Sequence, residues 1–149
     1  MKWTEIDLNQ INVKERKRGG KALSYSSLEN AIRFQIPKTF SNGLVYSYDK
    51  YYLDVVVPED FEAWWKKLED YLDPGMKSSI RDDKLRIRVD VHTEIFDENS
   101  KMKFEELKEG YLAGEVTVIV EVESVYDLGS HTGVSVRAHQ IKHGSECLL

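Results

Sequence analysis

Hydrophobic residues along this chain recur mostly at every second position, the spacing of half-buried strands. In IRFQI, Ile32, Phe34 and Ile36 share one face against Arg33 and Gln35. KLRIRVDV sets Leu85, Ile87, Val89 and Val91 inward and Lys84, Arg86, Arg88 and Asp90 outward. EVTVIVEVES aligns Val116, Val118, Val120 and Val122. GVSVRAHQIK aligns Val134, Val136 and Ala138 until Ile141 breaks the phase, which predicts a bulge. With ALSYS and the long run LVYSYDKYYLDVVV, read as one strand, the pattern predicts about six strands.

PEDFEAWWKKLEDYLDPG has the other period. Pro58, then Glu59 and Asp60, are helix start signals, and Asp73-Pro74-Gly75 is a stop. Phe61, Trp64, Trp65, Leu68 and Leu72 form an apolar stripe, with Lys66, Lys67, Glu69 and Asp70 opposite. The stripe predicts a helix that closes one end of a curved sheet, its tryptophans serving as core. Turn-forming residues mark loops at NVKERKRGG, TFSNG, DPGMKSSIRDD, FDENSKMK and LGSHTG.

Three strands, a helix and three more strands predict a mainly β fold, a small antiparallel OB-like barrel with one helix inserted after the third strand. With no linker or repeat visible, residues 1–149 read as a single domain, with a basic loop at 12–21 and a short C-terminal tail at 143–149.

Charge adds a contrast. The formal net charge is −5, yet Lys14, Arg16, Lys17, Arg18 and Lys21 crowd into one short run, KERKRGGK. Such a run fits a solvated loop or a targeting signal. Here Gly19 and Gly20 lead straight into a strand, so it also fits a basic arm anchored at the barrel edge. Cys147 has no partner cysteine, which fits a reducing compartment. The ending CLL is too short for a prenylation box, Glu5 and Asp7 interrupt the N-terminus, and no apolar run reaches the roughly 20 residues of a membrane span. A soluble intracellular protein without a membrane partner is expected.

The outward residues of the strands carry the candidate chemistry. Read as one strand, LVYSYDKYYLDVVV puts Tyr46, Tyr48 and Tyr52 on one side with Lys50 among them. Single strands of nucleic acid are held by rings that stack on bases and by cations that follow the phosphates. Arg33, Arg86, Arg88 and Arg137 repeat the positive sign on other strands. Tyrosines also pack across neighbouring strands, and a sheet facing water is charged, so a protein-interaction module on the same barrel is the alternative.

An enzyme needs convergent groups, and none stands out. Asp90 and Glu94, with Asp97 and Glu98 nearby, are the candidates for a carboxylate-metal nuclease; His139 and His143 have an HxxxH spacing without an accompanying CxxC. No phosphate-binding loop or nucleophile elbow is present. Neither catalysis, a metal nor a cofactor is expected.

From Gly19-Gly20-Lys21 through Gln35-x-Pro37, Gly43 and the tyrosine-rich Tyr48–Leu53 to the helix, and again at GVSVRAHQIK, the chain resembles the single-stranded DNA-binding proteins of bacteriophages and large DNA viruses. The resemblance implies an OB-fold and sequence-tolerant binding of single-stranded DNA rather than RNA during replication or recombination. The resemblance joins the reading of the residues themselves, in which Tyr46, Tyr48 and Tyr52 stack on bases and Lys14, Arg16, Lys17, Arg18, Lys21, Arg33, Lys50, Arg86, Arg88 and Arg137 contact phosphates. It also implies replication or recombination enzymes as partners, recruited by an acidic C-terminal tail. The closing HGSECLL holds a single acid, Glu146, so that tail lies beyond this sequence or recruitment works differently. Oligomeric state stays open.

Overall fold

Most of the alternating runs pair as strands in the computed structural model, which describes residues 1–98 and 100–144. Five strands precede the helix: β1 (Ile11–Glu15), β2 (Lys21–Tyr25), β3 (Ile32–Gln35), β4 (Thr39–Ser47) and β5 (Lys50–Val56). After α1 (Glu59–Leu72) come β6 (Ile80–Arg81), β7 (Lys84–Val89), β8 (Glu94–Asp97), β9 (Ser100–Met102), β10 (Gly114–Asp127) and β11 (Thr132–His143). The described residues are therefore mainly β with one α-helix.

Pairing closes β10, β4, β5, β7 and β11 into a ring, because β11 pairs with both β7 and β10. The β7–β11 contact is parallel and rests on one register pair, Arg137 with Arg88. β3 adds to β10, the β1–β2 hairpin attaches through β2, and β8 carries β9 on the far side of β11. Inside sit the alternating apolar residues: Ile32, Phe34, Leu53, Val55, Leu85, Ile87, Val89, Val116, Val118, Val120, Val122, Ala138 and Ile141 are all buried.

The helix follows its stripe. Phe61, Trp65, Leu68 and Leu72 are buried, and Trp64 is half-buried between Trp3, Phe34 and Phe61. Glu69, expected on the wet side, is buried instead. Its carboxylate accepts hydrogen bonds from the Ser78 hydroxyl and the Ser79 N–H, both at 2.7 Å, so the segment after the helix folds back over it.

The predicted bulge is present. Between the pairs Ile119–Gln140 and Val120–Ala138, His139 is the extra residue. Other expectations fail for local reasons. The helix follows the fifth strand, not the third, because residues 11–15 extend as β1 and because LVYSYDKYYLDVVV is two strands. A two-residue turn, Tyr48-Asp49, divides it, with φ of +50° and +63° and Ser47 paired to Lys50. TFSNG belongs to β4, which slips register between Ser41 and Leu44. There Gly43, at φ +99°, lets the backbone pass against Gly110. The segments read as the loops DPGMKSSIRDD and FDENSKMK contain β6, the end of β8 and β9. Val91 lies past the end of β7 and is exposed. Among the described residues no helix is long and apolar enough to cross a membrane. Glu146 and Cys147 lie outside the described residues.

Candidate nucleic-acid interface

The outer side of the ring carries a groove of about 840 Å³. Its floor is built from alternate residues of adjacent strands: Lys50, Tyr52 and Asp54 on β5, then Lys84, Arg86 and Arg88 on β7. Ser124 and Tyr126 of β10 and Val134 to Val136 of β11 continue it. One wall is the segment from Lys77 to Asp82, held by Glu69 through Ser78 and Ser79 and by the Lys77 N–H donating to the Thr132 carbonyl. Leu128 and His131, in the β10–β11 turn, also line the groove. A second hollow, about 410 Å³ beside Phe40 and Pro58, is smaller and has fewer polar groups around it.

Two rings face the groove. Tyr52 pairs with Arg88 across the strands, and the Arg86 guanidinium lies over the Tyr52 ring, 5.3 Å from its centroid. Tyr126 is opposite Gly133, and a methyl group at Gly133 would overlap the tyrosine ring. The glycine thus lets the ring lie against β11 with 37% of the residue still exposed.

The cations fall into two groups. Lys50, Lys77 and Arg81 are exposed and make no side-chain hydrogen bond or ion pair with the described residues. The arginines on the floor are neutralised. Asp54 accepts two hydrogen bonds from Arg86, at 2.8 and 2.9 Å, and Arg88 donates to Glu123 and Ser135. Next to it, Asp90 takes two bonds from Arg137, at 3.0 and 2.9 Å, and lies 3.7 Å from Arg88. Glu121 sits 3.9 Å from Arg137 and bonds Arg33 at 2.6 Å. One ion network therefore runs from Glu123 to Arg33 across β10, β7, β11 and β3. Burial pushes the Asp90 carboxyl up, but the bonds from Arg137 and the His92 N–H, with the Arg137 and Arg88 charges, hold it below the usual carboxylate range.

These positions sort the residues expected to touch nucleic acid. Lys14, Arg16, Lys17 and Arg18 are exposed on the β1–β2 hairpin. Its glycines pack on β10, Gly19 near Asp127 and Gly20 against the Val125 carbonyl and Tyr126, so the basic run borders the groove beside Tyr126. Lys21 turns away: its ammonium donates to the Leu72 carbonyl at 2.8 Å and to Asp73 at 3.2 Å, capping the end of α1. Arg137 is buried and tied to Asp90, and Arg33 is tied to Glu121. Tyr48 stands 93% exposed at the β4–β5 turn.

Tyr46 and Tyr52 do not share a face. The turn at Tyr48-Asp49 pairs Tyr46 with Tyr51 and Val45 with Tyr52, so Tyr46 leans on Tyr51, 5.0 Å away, on the side opposite the groove. Lys77, Arg81, Lys84, Tyr126 and His131 were missed by sequence reasoning. For Tyr126 a signal existed, since the LGSH turn between two alternating strands places it across from Gly133.

Of the carboxylates and histidines considered for metal chemistry, Asp90, Asp97 and His143 are bonded to other groups. Asp90 is taken up by Arg137, whereas Glu94, on β8 in register with Gln140, is exposed. His143 sets Nδ1 2.7 Å from an Asp97 carboxylate oxygen and Nε2 against the Ala113 carbonyl, two acceptors that favour the protonated ring. Burial pushes that imidazole down, and these bonds outweigh it and raise it. No group of three metal-ligating side chains occurs among the described residues.

The strand pairing defines a class of small, mainly β proteins with a ring of strands and one helix. Within it, the single-stranded DNA-binding protein from bacteriophage Enc34 is similar to this chain, with a TM-score of 0.54 over 93% of each chain and 12% identity. At that identity the likeness shows a common fold. No family model and no curated protein matches the sequence.

Proposed function

We propose that this protein is an OB-like barrel that binds single-stranded DNA along the groove, without sequence preference and without catalysis, in DNA replication or recombination. The observation that carries the reading is the meeting of two aromatic rings, Tyr52 and Tyr126, with the unpaired cations Lys50, Lys77 and Arg81 in one groove of a protein whose net charge is −5. The fold shared with a phage protein named for single-stranded DNA binding supports it. The basic hairpin, with Lys14, Arg16, Lys17 and Arg18, extends the phosphate track beyond Tyr126, and Tyr48 reaches from the β4–β5 turn.

Alanine at Tyr52 or Tyr126 should weaken binding to oligothymidylate by about 1 to 3 kcal/mol each, and phenylalanine should preserve it. Fluorescence titration alongside thermal melting checks this. Unaltered affinity in both folded alanine variants would move the binding surface elsewhere.

Tyr48 allows a test with opposite signs. A bulky side chain in the left-handed region is strained, and asparagine suits that turn position better. Tyr48→Asn should raise stability by up to about 1 kcal/mol. If the ring stacks on a base, the same change should lower affinity by about 1 to 3 kcal/mol. A variant that melts higher and binds as tightly as the parent would remove Tyr48 from the site.

A further inference from the structure

Arg86 has the exposure of a phosphate contact but not the charge of one. Its Nε and Nη2 both donate to Asp54, and the pair stands beside the Tyr52 ring on the groove floor. A phosphate drawn to this guanidinium would have to displace the carboxylate or sit beside it, and an unpaired Asp54 would repel it. Arg88, next on the strand, is neutralised in the same way by Glu123 and Asp90. Lys50, Lys77 and Arg81, which have no side-chain partner among the described residues, are separate from these pairs.

We propose that Asp54 is a positioning residue: by fixing Arg86 over Tyr52 and cancelling its charge, it makes the floor a surface for bases and leaves the phosphates to the unpaired cations. The proposal rests on the reading of the groove as a single-strand site. A guanidinium plane so held presents its free face for stacking, as the tyrosine ring does. Arg86 thereby changes role from phosphate contact, as its place on the strand suggests, to base platform.

Salt dependence separates the two roles, since each phosphate neutralised on a single strand adds about 0.7 to the slope of log K against log salt. Oligothymidylate binding would be titrated over a series of potassium chloride concentrations for the parent, Asp54→Asn, the double variant Asp54→Asn/Arg86→Gln, Lys77→Ala and Arg81→Ala, with melting curves for each. Asparagine keeps the shape of Asp54 but frees the Arg86 charge, so its slope should steepen by about 0.7, with tighter binding at low salt. The double variant Asp54→Asn/Arg86→Gln, which removes the guanidinium without leaving the carboxylate unpaired, should keep the parental slope while losing affinity at every salt concentration, whereas Lys77→Ala and Arg81→Ala should each flatten it by about 0.7. A parental or shallower slope in Asp54→Asn, or a slope flattened by about 0.7 in Asp54→Asn/Arg86→Gln, would overturn the role given to Asp54 while leaving single-strand binding intact. No binding by the parent at any salt concentration would overturn the groove reading itself.

Discussion

Replacing Asp90 with alanine should lower stability by about 3 to 5 kcal/mol, although the residue lies outside the apolar core. The β7–β11 seam that closes the ring rests on one register pair, and that pair sets two arginines side by side. Asp90 takes two hydrogen bonds from Arg137 and lies close to Arg88, so it supplies the counter-charge that makes this arrangement tolerable. Without it, Arg137 stays buried with Glu121 at 3.9 Å as its nearest acid, which compensates poorly for lost hydration. Acid should have a related effect on the parent. Because the folded carboxyl is held below its ordinary value, its contribution is present above about pH 4 and lost as pH falls through the folded value. Denaturant unfolding at neutral pH and in acid checks both points. A loss below about 1 kcal/mol at neutral pH would show that the seam does not depend on this carboxylate.

Trp65→Ala should cost about 3 to 5 kcal/mol as well, for a different reason. The indole is fully buried among Phe34, Phe61 and Trp64, at centroid distances of 6.3, 5.9 and 6.3 Å, where the helix meets β3. Truncation there leaves a cavity that a strand and a helix cannot collapse to fill. Trp65→Phe should be much milder, since it keeps a ring and removes an indole N–H that finds no hydrogen-bond acceptor among the described residues. Both variants should bind single strands normally once folded, because Trp65 lies away from the groove. Melting curves and titrations on the same samples decide this.

What could be read in the sequence was what neighbours along the chain determine. The helix stripe, the alternation of β10 and β11 and the bulge signalled by Ile141 all depend on residues a few positions apart. The turn at Tyr48-Asp49 has no glycine or proline to announce it, so two strands looked like one and Tyr46 was put on the face of Tyr52. The cations were harder. Lys21, Arg137 and Arg33 look free in sequence because Asp73, Asp90 and Glu121 stand 52, 47 and 88 residues away. Conversely, Lys77 and Arg81 read as ordinary loop residues until Glu69, an acid on the wet side by periodicity alone, folds their segment against the groove.

The most direct test of single-strand binding is a fluorescence anisotropy titration of the protein into labelled oligothymidylate, with and without magnesium, competed by unlabelled single-stranded and duplex DNA. The account predicts saturable binding that weakens as salt rises, competition by single strands well ahead of duplex, and an oligonucleotide left uncut in magnesium. Absence of binding at low salt, equal competition by duplex, or cleavage of the probe would contradict it.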